Sequence, residues 1–351
     1  MKDITGKRIK SARTLAGLSL RELSQKMEGV VSHNAITKYE NGLMMPDSKV
    51  LLALAKALDV KIDYFFRPYT VTIESVEFRK KRKLSTKNSN SIQQKVSDNI
   101  EKYIELEQFL NISSEFHNPI KTIEILDGDD VENAVNHLLT EWKIGFNALP
   151  NVIELLEEKG IKVVELDADE DFDGLSGWAN TTIPVIVINK NYPIERKRFT
   201  ALHELGHLLL TFNAALEAKM VEKLCHRFAG AMLIPRETMF TVLGKARKSI
   251  ILFELQAIKE SYGISVQATM ARARHLEIIN EEYFISFRKW INARDERRKE
   301  TAFEQYIGRE QSDRFKQLLY RATAEGIISM IKAANLANQK LATFRDEFIA
   351  I

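Results

Sequence analysis

The sequence predicts a mainly helical protein built around a small α+β core. Three observations predict it. Apolar residues recur at helical spacing over long stretches on both sides of the middle of the chain. Between them lie "GIKVVEL", "GLSGWANT" and "PVIVINK", short segments that read as strands, the last rich in β-branched residues. At 351 residues the chain is also long enough for two or three domains with their own cores. The expected order is a five-helix bundle over 1–67, a basic and polar linker with an amphipathic helix over 68–117, a core with a small sheet over 118–245, and a helical region over 246–351.

The elements follow from local signals. A first amphipathic helix carries Ile4, Ile9, Ala12 and Leu15 and stops near Gly17. "SLRE", Ser19 to Glu22, has the spacing of a capping box and opens a second helix through Met27. After a break at Gly29, Ser32 is placed to cap a third helix, "HNAITKYEN", which Gly42 ends. A fourth presents Leu51, Leu54, Ala55 and Leu58 on one face, and a short fifth runs near Ile62 to Phe66. "EFRKKRKLSTKNSNS" holds five consecutive basic residues, Arg79 to Lys83, then a polar run typical of a linker. Ile92, Val96, Ile100, Tyr103 and Leu106 then fall at helical spacing. Helices around 130–143 and 150–159 precede the strands, and two more follow them, the second ended by Pro235. The remainder reads as helical, with "RFKQLLYRATAEGIISMIKAANLANQKL" as one long amphipathic stretch.

Bulk composition narrows the classes. The net charge of +3 is too small to identify a partner, but residues 1–67 hold 12 Lys or Arg against 7 Asp or Glu, a net of +5, so the rest is acidic. The single cysteine, Cys225, cannot form an internal disulfide, which fits a reducing compartment. The N-terminus lacks the apolar run of a signal peptide, and no segment approaches the roughly 20 apolar residues that span a bilayer. The expectation is a cytoplasmic protein without a membrane partner.

Two short helices joined by a tight turn inside a five-helix bundle are the sequence form of a helix-turn-helix. "GLSLRELSQKM", "SHNAITKYENG", Pro46 and "LLALAKALDV" make residues 4–67 resemble the XRE (Cro/repressor-like) DNA-binding family. The resemblance implies that "SHNAITKYE" lies in the major groove of double-stranded DNA. Ser32, His33, Asn34, Thr37 and Lys38 are then the candidates for base or phosphate contacts. Many relatives carry Gln where this chain has Leu20. Domains of this kind bind paired half-sites, so a homodimer is expected. The 92–110 helix either supplies that contact or packs its stripe on its own chain.

The stretch "RFTALHELGHLLL" sets His203, Glu204 and His207 among apolar residues. Positions i and i+4 share a helix face, so His203 and His207 can each point a nitrogen at one ion. Glu204 lies about 100° round the helix, placed to act as a general base rather than a ligand. A catalytic Zn²⁺ needs a third protein ligand. The candidate is Glu222 in "VEKLCHRFAGAMLIP", with His226 one turn on as a rival ligand or a supporting residue behind the ligands. The edge of the "PVIVINK" strand is a candidate for pairing with an extended substrate.

"EFRKKRKLS", "DFDGLSGWAN", "PVIVINKNYPIERKRFTALHELGHLLL", "EKLCHRFAGAMLIP" and "YGISVQATMARARHLEII" make residues 77–340 resemble the ImmA/IrrE zinc metallopeptidases. That resemblance implies His203, His207 and Glu222 as zinc ligands and Glu204 as base. Cys225 and His226 depart from the family's commonest residues there, and Cys225 reads as a packed small side chain. The combination reads as a DNA-binding transcriptional regulator carrying an endopeptidase for a repressor or antitoxin-like protein. Two other readings stay open on the sequence: a non-proteolytic transcription factor whose metallopeptidase fold is a sensor or interaction domain, and an antitoxin. "ELQAIKESYGISVQATMARARHLEII" superficially repeats the helix-turn-helix pattern, against the plainer reading of a helical cover over the core.

Overall fold

The computed structural model describes residues 2–67, 73–74, 86–112, 115–170 and 172–348. The basic run Arg79 to Lys83 lies outside them. The helices before the core are α1 (Lys2–Leu15), α2 (Leu20–Lys26), α3 (His33–Glu40), α4 (Ser48–Leu58), a 3-10 turn (Ile62–Phe66) and α5 (Thr86–Phe109), with β1 (Ile73–Glu74) before α5. Then come β2 (Glu124–Ile125), α6 (Gly128–Glu141), α7 (Val152–Glu158), β3 (Lys162–Leu166), β4 (Gly174–Ala179), β5 (Ile183–Asn189) and α8 (Ile194–Leu209). They are followed by β6 (Thr211–Phe212), α9 (Ala218–Leu233), α10 (Arg236–Leu243), α11 (Leu252–Tyr262), α12 (Val266–His275), α13 (Glu281–Asn292) and α14 (Asp295–Arg298). The last are α15 (Arg314–Ala324), α16 (Met330–Leu336) and α17 (Leu341–Glu347). None of the helices described is long and apolar enough to cross a membrane.

The chain forms two compact units. The first holds residues 1–114, 178–181 and 313–351; the second holds 115–177 and 182–312. The helical region after residue 246 therefore divides, α11–α14 belonging to the second unit and α15–α17 to the first.

In the first unit the predicted caps form. Ser19 and Glu22 make a reciprocal capping box at α2, and the Ser32 hydroxyl accepts the Ala35 amide at α3. Ile9, Leu23, Ile36, Leu54 and Phe65 are fully buried at the centre of the bundle. Arg13 ties α1 to the end of α3 through two hydrogen bonds to Glu40, at 2.6 and 2.8 Å. The fifth helix is a 3-10 turn, a form that suits so short a run. β1 pairs antiparallel with Ala179 and Trp178.

Helix α5 begins at Thr86, inside the polar run expected to be linker. Its apolar stripe is buried in its own chain: Val96, Ile100 and Leu106 are at most 1% exposed. That leaves the stripe unavailable for the dimer contact considered above. Tyr103, Leu106 and Leu110 share a core with Leu318, Leu319, Ala322 and Phe344 of α15 and α17. The long helix expected over 314–341 is broken, because Gly326 takes a φ of +69° that continues no right-handed helix and Ser329 caps a new one.

In the second unit β3 and β5 pair in parallel from Lys162↔Val185 to Leu166↔Asn189, and β4 lies on the other side of β5. β5 is thus paired on both sides, and the strand edge expected to receive a substrate is already used. Val185, Ile186, Val187 and Ile188 are at most 2% exposed, as a run of β-branched residues in a central strand requires. A second pair, β2 with β6, runs parallel. α11 and α12 do form two helices around Gly263, but α12 presents no fully exposed side chain. Its Arg272 is buried and ion-paired to Glu132, so the segment is a cover over the core and not a second reading helix.

Candidate metal centre

Helices α8 and α9 carry the site. α8 buries Ala201, Leu202, Leu205, Gly206 and Leu209, which turns His203 and His207 toward α9. A Cβ on Gly206 would lie 3.2 Å from the Phe228 ring and 3.5 Å from the Cα of Cys225, so the two helices meet closely at that point. α9 in turn buries Leu224, Cys225 and Phe228 and leaves Glu222 at the rim.

His203 Nε2 and His207 Nε2 are 3.1 Å apart. Glu222 Oε2 lies 3.3 Å from the first and 3.8 Å from the second. Three ligands bound tetrahedrally at 2.0–2.1 Å sit about 3.3 Å from one another, so the donor set has the size and the chemistry that zinc requires. Among the described residues this is the group of three that could hold a metal ion. The histidine side chains are 12% and 9% exposed and that of Glu222 is 40% exposed, so the site is walled by protein on the histidine side and open beside the carboxylate.

The neighbours of the triad are equally specific. Glu204 stays outside the cluster, and its Oε2 accepts a hydrogen bond of 2.8 Å from the Ser176 hydroxyl on β4. Cys225 is fully buried with its Sγ 2.9 Å from His207 Nδ1. His226 does not join the ligand cluster. Its exposed ring lies against that of His203, centroids 4.3 Å apart, and stacks on Phe199 at 5.8 Å. The sequence reading missed Ser176 and treated Cys225 as packing. For Ser176 a signal exists: alternation along "GLSGWA" places Gly174, Ser176 and Trp178 on one face. For Cys225 the contact arises from the meeting of α8 and α9, which no local pattern encodes.

A shell of buried ion pairs holds this framework. Arg198 of α8 and Glu310 are both 0% exposed and pair at 2.7 Å, and Arg198 also donates to the Leu149 carbonyl. Glu195 pairs with Lys259 at 3.0 Å. Arg272 pairs with Glu132, which Arg227 also reaches at 3.1 Å. Burial raises the Glu132 carboxyl, but hydrogen bonds and charge from Arg272, with Arg227 behind them, outweigh it and hold the group below the usual range. His275 is pushed down to about 4 by burial and by the nearby Arg274, Arg227 and Arg272 charges.

The candidate DNA-facing residues are placed differently. Ser32, His33, Asn34 and Lys38 are exposed on α3. Thr37 is half-buried, its hydroxyl donating to the His33 carbonyl at 2.9 Å.

Comparison with known proteins finds matches in two segments of the chain. Residues 9–65 match the family described as Helix-turn-helix, and residues 156–274 match the IrrE N-terminal-like domain. Over 61 residues the chain is 39% identical to an uncharacterized HTH-type transcriptional regulator of Rickettsia conorii, a match covering 17% of this chain and 47% of that protein. The chain spans about half the length of that curated relative. In one polypeptide, then, a segment that matches the helix-turn-helix family over residues 9–65 precedes one that matches the IrrE N-terminal-like domain over residues 156–274.

Proposed function

We propose that this protein is a DNA-binding transcriptional regulator that also carries a zinc-dependent endopeptidase, acting on a repressor or antitoxin-like protein. The observation that carries the reading is the convergence of His203 Nε2, His207 Nε2 and Glu222 Oε2 within 4.8 Å, beside a glutamate that is not part of the cluster. A purely structural zinc site closes all four positions with Cys or His and has no use for such a glutamate.

His203, His207 and Glu222 would hold the ion. Zinc bound there supplies Lewis acidity, polarising a peptide carbonyl and acidifying water. The chain's own part falls to Glu204, whose carboxylate takes the proton from the attacking water and returns it to the leaving amine. Ser176 fixes that carboxylate by donating to Oε2. β4 carries Ser176 beside α8, and among the described residues β1 pairs with it only at Trp178 and Ala179, so its Gly174–Gly177 portion is the segment we assign to substrate alignment.

In the first unit, α3 presents His33, Asn34 and Lys38 to solvent next to its Ser32 cap, in a segment with a net charge of +5. We assign these residues to the DNA surface and place a homodimer on paired half-sites. The protease reading is tested by incubating the zinc-loaded protein with candidate repressor and antitoxin-like proteins, beside Glu204→Gln. Cleavage by the wild type alone supports it. Cleavage by neither, or equally by both, contradicts it.

A further inference from the structure

We infer that Cys225 is a positioning residue for the metal centre: its sulfur accepts the Nδ1–H of His207 and so holds the Nε2 lone pair toward the ion. The inference rests on the zinc reading above and concerns this chain's own residues around it.

A neutral imidazole carries one N–H, on one of its two nitrogens. His207 Nε2 faces His203 Nε2 at 3.1 Å and Glu222 Oε2 at 3.8 Å, so it is the nitrogen turned into the donor cluster. To bind an ion there it must offer a lone pair, and its proton must sit on Nδ1. The atom at Nδ1 then has to accept. Cys225 Sγ is at 2.9 Å, and a thiol sulfur is a weak acceptor. The opposite tautomer, with the thiol donating to Nδ1, would put a hydrogen on Nε2 and close it to metal. Metal binding and the Nδ1–H···Sγ hydrogen bond therefore select the same tautomer. Partners of this kind fix ring orientation and raise ligand basicity.

The arrangement is built into the fold. Glu222 and Cys225 are three residues apart on α9, so one face of that helix supplies both a ligand and the support of another ligand. Cys225 has no exposed surface, which keeps water from replacing the sulfur. The two helices meet closely at Gly206, beside His207, and this sets the sulfur against the ring. His226, the next residue, lies against the ring of His203, so adjacent positions on α9 touch the two ligand imidazoles separately.

The test is zinc affinity of the full chain, measured by competition with a chromogenic chelator, for wild type, Cys225→Ala and Cys225→Ser. Alanine removes the acceptor together with the volume of one buried sulfur, and serine restores an acceptor in nearly the original shape. Circular dichroism checks that each variant is folded. Cys225→Ala should bind zinc about 10- to 100-fold more weakly, and Cys225→Ser should recover most of the loss. Histidine-ring ¹⁵N spectra of the zinc-loaded wild type should show His207 protonated at Nδ1. Wild-type affinity in folded Cys225→Ala, or an equal loss in both variants, would overturn the inference, as would a His207 protonated at Nε2. Failure of the wild type to bind zinc at all would instead sink the metal reading on which the inference rests.

Discussion

Helices α3 and α8 both carry histidines, and they use their polar residues in opposite ways. On α3 the side chains of His33, Asn34 and Lys38 point to water, and the core behind them is apolar. On α8 Arg198, His203, Glu204 and His207 turn inward and each meets a partner: His203 and His207 meet Glu222, Glu204 meets Ser176, and Arg198 meets Glu310. Burying polar groups is costly unless each is satisfied, so the partners of α8 are fixed by the fold itself. On α3 the fold fixes a partner for Glu40, in Arg13, but none among the described residues for His33, Asn34 and Lys38, whose partner is argued from charge and helix geometry. An inward polar helix thus declares its chemistry within one chain, whereas an outward one declares only a surface.

The contrast should break first at Arg198. Arg198→Met strands the fully buried Glu310 carboxylate, and urea unfolding of the second unit should show a loss of about 3–5 kcal/mol, recovered in part by adding Glu310→Gln. Lys38→Ala on α3 should change stability by no more than about 0.5 kcal/mol. Equal effects at the two positions would erase the distinction.

DNA binding reverses the ranking. Asn34→Ala should weaken operator binding by about 1–3 kcal/mol at fixed salt if it reads a base, while Lys38→Ala should weaken all sequences alike and lower the salt slope by about 1. Fluorescence anisotropy across a salt series separates these outcomes. Unchanged binding in both variants would remove α3 from the DNA surface.

Acid supplies a third test, in which the two units respond in opposite directions. His275 titrates at about 4 in the fold against 6.5 ordinarily, so the unfolded chain binds the proton first. The stability this contributes is complete above pH 6.5 and is lost as pH falls toward 4. Glu132 acts in the same direction lower down, its stabilisation present above the ordinary carboxylate range and lost as pH falls through its lowered pKa. Glu101 in the first unit runs the other way. Burial raises its carboxyl more than Arg8 lowers it, so its stabilisation is present in acid and lost as pH rises through the raised pKa. Hydrogen exchange should therefore show α12 opening between pH 6.5 and 4 before α5 does, and His275→Gln should flatten the upper part of that profile.

A small effect belongs to a cap. Ser19→Ala removes one half of the α2 capping box and should cost about 1 kcal/mol in the first unit, with zinc affinity unchanged.

Local rules account for what could be read in advance. Ser19 with Glu22 and Ser32 announced two helix starts, and the i, i+4 histidines announced a shared face. The run "PVIVINK" announced a central strand, although its expected free edge required the sheet order to correct. Gly326 and Ser329 were visible breakers inside the stretch read as one long helix, and the apolar periodicity overrode them. What stayed hidden depends on packing between distant segments. Leu318, Leu319 and Phe344 join Tyr103 and Leu106 across more than two hundred residues, and Cys225 reaches His207 because α8 and α9 meet closely.

The central claim is that α8 and α9 form a metal centre. Elemental analysis of the purified full-length protein, wild type beside His203→Ala, tests it most directly. About one zinc per chain in the wild type and none in the variant is the predicted result. A wild type that carries no metal and takes up none on adding zinc would contradict it, leaving His203, His207 and Glu222 as a hydrogen-bonded cluster in a helical regulator.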